Sequence, residues 1–377
     1  MSAWPGKYVI GLTGNIATGK SVVRRMLEHL GAYGIDADAL GHRAIAQGAP
    51  GYKPILNTFG SWILGADGQI DRNRLARIVF TDAEALQQLE AIVHPLVAHA
   101  VDLLVRRSRQ EVIVIEAIKL IESGLRSQCD TLWVTHASQE VQLIRLVQKR
   151  QLGESAARQR IAAQPDQKLK IEQANVIVRN DGSFEDTWRQ VLDAWQSSFP
   201  VVETSPLRAV KTIRGEMAVQ RARPRQTEEI AAYITRMSDG KRTLTYDDIM
   251  AAFGEKAFLL LKIDGKLSGL VGWQVENLVA RTDEVYLDVN IPFAEAMQVL
   301  MGEVERASRE LQCEISLLFL PPTLARQYAI WNALGYQTRS IVSLGVRAWQ
   351  EAATESMPAG AVMLFKQLRK DRVLRPV

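Results

Sequence analysis

The sequence predicts an α/β protein: a parallel sheet with helices on both faces, followed by a second, α+β domain. Three observations carry this. A short apolar run, Tyr8 to Leu12, meets a glycine loop and then a helical repeat. Strand-like and helix-like stretches then alternate to about residue 200, the succession of crossovers that builds a parallel sheet. Beyond Val201 the chain turns polar and proline-bearing, and hairpin signals replace the alternation.

Tyr8-Val-Ile-Gly-Leu12 is apolar and partly β-branched, as buried strands are. It runs into Gly14-Asn-Ile-Ala-Thr-Gly19-Lys20-Ser21, which fits G-x-x-x-x-G-K-[ST], and Val22, Val23, Met26, Leu27 and Leu30 then recur at helical spacing. Strand, loop and helix together are the context of a triphosphate site. Gly14 and Gly19 let backbone N–H groups turn inward around phosphate oxygens. The new helix adds the positive end of its dipole. Lys20 is placed to neutralise β/γ oxygens, and Ser21 to hold Mg²⁺ through its hydroxyl.

A second strand is expected at about residues 32–35, with Asp36 and Asp38 at its carboxyl end. Ligands sit at the carboxyl ends of strands in open parallel sheets. Either acid suits a base that deprotonates a phosphoryl acceptor. Either equally suits the cap of the next helix, and spacing leaves both readings open. A helix from Gly41 stops at Gly48-Ala-Pro50-Gly, and turn-rich segments lead to another over Arg74 to Phe80. Thr81-Asp82-Ala-Glu84 is a capping signal for a longer helix, which His94-Pro95 is expected to interrupt.

Glu111-Val-Ile-Val-Ile-Glu116 is the most strand-like run of this half, and Glu122 lies beyond it. Glu116 stands where a carboxylate orders Mg²⁺ in P-loop enzymes. Leu132 to Thr135 reads as a strand. Gln139 to Gln151 reads as a helix carrying Arg145, Lys149 and Arg150, with Arg158 and Arg160 on the next helix. Such a row is either a solvated face or a lid over the triphosphate. Ala174 to Gly182 reads as the last parallel strand and its turn, and Phe184 to Phe199 as a closing helix.

At 377 residues the chain has room for two domains, and 47% hydrophobic with 23% charged residues describes a soluble globular protein. The net charge of +4 suits anionic nucleotides. There is no concentrated basic tail or base-stacking motif, so no nucleic-acid partner is expected. Cys129 and Cys313 lie far apart and indicate neither a disulfide framework nor zinc. No signal peptide is read at the N-terminus, and no apolar run approaches the ~18 residues that span a bilayer. The expectation is a cytosolic protein with no membrane partner.

Taken together, these motifs resemble the dephospho-coenzyme A kinase family of the nucleoside-monophosphate-kinase-like P-loop group, over about Tyr8 to Trp195. The residues that carry the resemblance are Gly11-Leu-Thr-Gly14 with Gly19-Lys20-Ser21, Ile35-Asp36-Ala-Asp38, and Phe59-Gly60 with Gly68-Gln-Ile-Asp71-Arg72. Val79-Phe80, Leu89-Glu90-Ala-Ile-Val-His94-Pro95, Arg145 with Arg150, Gln164 and Asn180 follow in order. The resemblance implies a P-loop NTPase fold and transfer of the ATP γ-phosphate to the ribose 3′-hydroxyl of dephospho-CoA, with Mg²⁺. It implies Asp38 as base, and Lys20 and Arg150 as the residues that stabilise the moving phosphoryl group. ATP would be bound by Gly14, Ala17, Thr18, Gly19, Lys20, Ser21, Val22, Arg145 and Asn180. Arg72 and His94 fall at acceptor-side positions, and Ser21 and Glu116 are the metal ligands.

The chain also departs from the family pattern. An acid, then Pro-Leu-Leu and an aromatic residue, is usual where this sequence has Glu116-Ala-Ile118-Lys119-Leu-Ile-Glu122, which makes Lys119 and Glu122 further acceptor-side candidates. Asn15, Ala17 and Thr18 replace smaller residues, and Asn175 stands where an aspartate is common.

The expected division is a kinase domain over 1–203, a linker over 204–214 and a second domain over 215–377. In the latter, strands are read at Met217 to Ala222, Phe258 to Ile263, Leu267 to Gln274, Val285 to Val289 and Glu314 to Leu320, with Asp264-Gly265 as a hairpin turn. Helices are read at Thr227 to Met237, Thr245 to Phe253, Pro292 to Leu311 and Thr323 to Leu334. This order resembles the GNAT acetyltransferase fold. Where that family places a glycine-bearing pyrophosphate loop, the sequence reads Asn290-Ile-Pro-Phe-Ala-Glu295-Ala-Met297, without glycine and with an acid facing the anion. Tyr336 is read as packing rather than as a general acid. The alternative reading is another P-loop small-molecule kinase, whose second half is a non-catalytic module that senses CoA or binds a protein partner.

Overall fold

The structure, a computed structural model, describes residues 3–79, 81–148, 151–199, 209–212, 215–370 and 373. The chain forms two compact units, one of residues 1–20, 32–177 and 371–377, the other of residues 21–31 and 178–370.

The first half of the chain runs β1 (Tyr8–Thr13), α1 (Lys20–His29), β2 (Tyr33–Asp36), α2 (Ala37–Ala44), α3 (Tyr52–Phe59), α4 (Arg72–Val79) and α5 (Ala83–Arg107). It continues through β3 (Val112–Glu116), β4 (Thr131–His136), α6 (Gln139–Gln148), α7 (Glu154–Ala162), α8 (Lys168–Ile171), β5 (Val176–Arg179) and α9 (Phe184–Ser198). The strands form one sheet in the order β2-β3-β1-β4-β5. The β1–β3, β1–β4 and β2–β3 pairs are parallel, as the strand–helix alternation predicts. Register places Glu116 opposite both Leu12 and Asp36, so β1, β2 and β3 end level with one another. Val9, Ile10, Leu12, Ile113, Val114, Ile115, Leu132, Trp133 and Val134 are buried, which is why these strands read as continuous apolar runs rather than alternating ones.

Two expectations about α5 are corrected. His94-Pro95 does not interrupt it; the helix runs on to Arg107 with Pro95 inside. Proline removes one helical hydrogen bond. Asp82 caps the start, accepting from Glu84 N at 2.8 Å, and the helix packs on α2, α3 and α4 along both flanks of the proline. Leu86, Leu89, Ile92 and Val93 lie against Ile55, Ile63, Leu75 and Val79. Nor is the chain without a long apolar helix: α5 has the length and composition to cross a membrane. Counting apolar runs hides this, because Gln88, Glu90, His94, His99 and Asp102 break the run while leaving the mean hydropathy high. One side of it packs on α2, α3 and α4, and 28% of its apolar stretch is buried.

The rest of the chain runs β6 (Ala209–Thr212), β7 (Gly215–Arg221), α10 (Thr227–Met237), α11 (Tyr246–Phe253), β8 (Ala257–Ile263), β9 (Lys266–Glu276) and β10 (Val279–Leu287). Then come α12 (Phe293–Glu310), β11 (Ile315–Leu320), α13 (Pro322–Ala325), α14 (Tyr328–Ala333), β12 (Gln337–Thr338), α15 (Arg347–Ser356) and β13 (Val362–Gln367). The sheet order is β12-β13-β11-β10-β9-β8-β7-β6. Within it β10 and β11 pair in parallel, and α12 is the crossover between them. Asp264 and Gly265 sit at φ +49° and +81°, both positive as a type I′ hairpin turn demands.

Residues 209–212, within the stretch read as linker, form β6 against β7; residues 204–208 and 213–214 lie outside the described residues. On one face, Leu300, Met301 and Val304 of α12 share a core with Val271, Trp273 and Leu318. Tyr336 is fully buried, its hydroxyl 3.0 Å from Ser316 Oγ, in the packing role the sequence suggests.

Candidate active site

The phosphate loop is built from the end of β1. Gly14 has φ +151°, and a Cβ there would stand 2.5 Å from the Thr135 carbonyl oxygen and 2.7 Å from Thr18 Oγ1. No side chain fits, so the close approach of β4 accounts for this glycine. Gly19 turns at φ +93° into α1, and Ala17 adopts φ +57° without being glycine. Thr18, fully buried, braces the loop: its hydroxyl donates to Asn15 O at 2.9 Å and lies 2.7 Å from Thr135 Oγ1. Lys20 is 7% exposed, and its Nζ donates to Gly14 O at 3.0 Å and Asn15 O at 3.2 Å. Its ammonium is thereby folded over the loop. Exposed Ser21 and half-buried Val22 continue the first turn of α1.

Two later segments reach the same loop. Arg145 of α6 donates from Nη1 to Ala17 O at 3.1 Å. The connection between α7 and α8 bonds it twice: Ile16 N–H donates to Gln164 Oε1 at 2.6 Å, and Asn15 Nδ2 to Pro165 O at 2.8 Å.

The structure separates the two acids that spacing left equivalent. Asp36 is the cap of α2, accepting from Ala39 N at 2.8 Å. Asp38 lies one residue into the first turn, and its Oδ2 accepts from Ile118 N at 3.0 Å. Burial pushes its carboxyl above the usual carboxylate range, and Glu116 adds to that. The Ile118 N–H, Lys20 and Lys170 act in the opposite direction without overcoming it. A carboxyl tuned upward by burial is the condition under which an acid works as a general base near neutral pH. Glu116, 4% exposed, ends β3 level with Asp36.

The remaining candidates are more dispersed. Lys119 is half exposed, with Nζ 2.6 Å from Glu90 Oε1 of α5. Glu122 lies 3.9 Å from Lys170 Nζ. Arg72 is the exposed first residue of α4, and His94 is half-buried in α5. Arg150 lies outside the described residues. Asn180 follows β5, buried, its Oδ1 accepting from Thr187 Oγ1 at 3.0 Å. Asn175 now has an explanation: its Oδ1 accepts from Leu132 N at 2.8 Å, a role an aspartate oxygen would fill equally.

One residue at the site escapes sequence reasoning. Lys170 is 3% exposed and its Nζ donates to Ile118 O at 2.6 Å. In the sequence it differs in no way from Lys168 two positions earlier, which carries no such burial; only the tertiary fold sets them apart.

A glycine loop, a half-buried carboxylate beside it and an arginine from a later helix thus converge at the carboxyl edge of a parallel sheet. The family model for dephospho-CoA kinase matches residues 8–186. The dephospho-CoA kinase of Geobacter metallireducens is 42% identical over 191 residues, which span 50% of this chain and 95% of that protein. The chain belongs to the dephospho-CoA kinase family. With that family it is an ATP-dependent kinase. The relative from Geobacter sulfurreducens is 40% identical over 195 residues, 99% of its length. The second half has a looser counterpart in the PaiA N-acetyltransferase of Thermoplasma acidophilum, solved with coenzyme A. That protein is 9% identical, its TM-score is 0.31, and the match covers 40% of this chain and 98% of the other.

Proposed function

We propose that this chain transfers the γ-phosphate of ATP to the ribose 3′-hydroxyl of dephospho-CoA, with Asp38 as the base that accepts the hydroxyl proton. The observation that carries the reading is the placement of Asp38: half-buried, fixed by Ile118 N–H and within the field of Lys20. The loop amides from Gly14 to Val22 cradle the phosphates, with Arg145 and Asn180 completing the ATP site. Lys20 and Arg150 counter the charge that spreads over the moving phosphoryl oxygens. Arg72, His94, Lys119 and Glu122 form the acceptor side.

Ser21 and Glu116 offer the hard oxygen donors that Mg²⁺ prefers, and Glu116 is a buried carboxylate at the level of the loop. When bound, Mg²⁺ neutralises charge on the β- and γ-phosphate oxygens. The described residues gather no group of three His, Cys, Asp or Glu as a metal cage, and a magnesium ion shared with phosphates and waters requires none. The kinase domain is taken as residues 1–203 and the GNAT-like domain as 215–377 together with β6, which pairs with β7 rather than serving as linker, in a cytosolic enzyme. In that second domain α12 starts after Pro292 with no side-chain cap and with Glu295 in its first turn. This arrangement is unsuited to a pyrophosphate, so acetyl transfer is not assigned to it.

The test is Asp38→Asn. Turnover falls by about 10²–10⁴-fold, the usual worth of a general base, while ATP affinity stays near that of the parent. An asparagine variant with parental turnover removes Asp38 from the role.

A further inference from the structure

Ile118 lies in the loop after β3, and both of its backbone polar atoms are engaged. Its N–H donates to Asp38 Oδ2 at 3.0 Å. Its carbonyl accepts from Lys170 Nζ at 2.6 Å and from Thr13 Oγ1 at 3.1 Å. Thr13 is the last residue of β1 and Lys170 belongs to α8, so one residue ties the base to two separate elements.

Lys170 is an unusual choice for that tie. Its side chain is 4% exposed, and the nearest carboxylate partner, Glu122, is 3.9 Å away and 42% exposed. Desolvation of an ammonium is costly, and a single loose ion pair offsets little of it. Thr13 already satisfies the Ile118 carbonyl, so a methionine in place of the lysine would fill the same space without leaving that oxygen unpaired. Stability alone does not account for a lysine here. Besides Ile118 N–H, the charged groups that act on Asp38 are Lys20 from the phosphate loop, Glu116 from β3 and Lys170 from α8. Lys20 serves the nucleotide, which leaves Lys170 as the cation committed to the acceptor side.

We propose that Lys170 is a positioning residue for the kinase reaction: by gripping the Ile118 carbonyl it holds the Ile118 N–H on Asp38 and so aims the base. This rests on the reading of Asp38 given above. It acts through Ile118 and touches neither substrate.

The test is a kinetic double-mutant cycle on the full chain. Lys170→Met lowers kcat by about 10- to 100-fold, the scale of misplacing a reacting group by ~1 Å, and leaves KM for ATP within about twofold. Lys170→Arg, which keeps a donor and a charge, recovers part of the loss. In an Asp38→Asn background the same Lys170→Met change costs less than about threefold, because there is no base left to aim. Lys170→Gln carries the same cycle should the methionine variant not fold. An equal loss in both backgrounds, or a Lys170→Met enzyme with parental kcat, overturns the proposal. Asp38→Asn alone separates the two claims. If it keeps parental turnover the base reading falls; if it loses turnover while Lys170→Met does not, only the positioning role falls.

Discussion

Ala17 is the residue of the phosphate loop whose backbone its side chain suits least. At φ +57° it occupies the left-handed region, which costs an L-residue roughly 1–2 kcal/mol relative to the right-handed one. Ala17→Gly removes that cost but adds the entropy of a freer unfolded chain, roughly 0.5–1 kcal/mol. The balance predicts a gain of up to about 1.5 kcal/mol, read as a higher urea midpoint with an unchanged slope; a lower midpoint contradicts it. Much at this scale is legible in the sequence. The loop glycines, Lys20 and Ser21 follow from motif and context, and Arg145 is found at the loop. The choice between Asp36 and Asp38 was not legible from spacing, because both follow β2 closely. Their roles divide only where the β3 loop brings Ile118 N–H to one of them. Lys170 was invisible for the same reason: its burial is decided by residues more than fifty positions away.

Among the elements, α1 shows how packing overrides a local preference. His29 ends it, where the helix dipole would favour the charged imidazolium. Within the second unit its Nε2 lies 2.8 Å from Phe253 O, and the Trp188 and Phe253 rings face it edge-on. Burial, with Arg221 alongside, lowers its pKa to about 3. The unfolded chain takes up a proton near pH 6.5 that the native chain refuses until about pH 3. The stability supplied by neutral His29 is therefore whole above pH 6.5 and is lost as pH falls from there toward 3, by up to ~1.4 kcal/mol per pH unit. Urea unfolding of His29→Gln at pH 7, 6 and 5 should show a slope shallower by about one proton; a slope equal to the parent's contradicts this. Element limits were legible where turns carry chemistry, as at Asp264-Gly265. They were not at the start of β10, where Asn277 and Leu278 turn the chain at φ +52° and +61° and leucine gives no turn signal. In α5 the proline rule failed because tertiary contacts on both flanks outweigh one missing hydrogen bond.

For the molecule as a whole, sequence pattern was most informative where it was most constrained. The parallel sheet announces itself through its buried apolar strands. The last third of the second sheet does not: β12, α15 and β13 were missed, because short or mixed segments lack a clean period. Function divides the same way. The family match covers residues 8–186, and the phosphate loop, Asp38 and Lys170 all fall inside it. The large mixed sheet beyond it contributes a well-packed core, including the Trp273 indole bonded to Ser308 Oγ at 3.0 Å, and its long helix α12 carries Glu295 in its first turn.

The most direct measurement is product identity. The full chain, incubated with ATP, Mg²⁺ and dephospho-CoA, should release one ADP for each molecule of acceptor consumed. ³¹P NMR should show a new phosphomonoester on the ribose 3′-oxygen. ADP release that does not depend on dephospho-CoA, or phosphate on any other oxygen, would contradict the account.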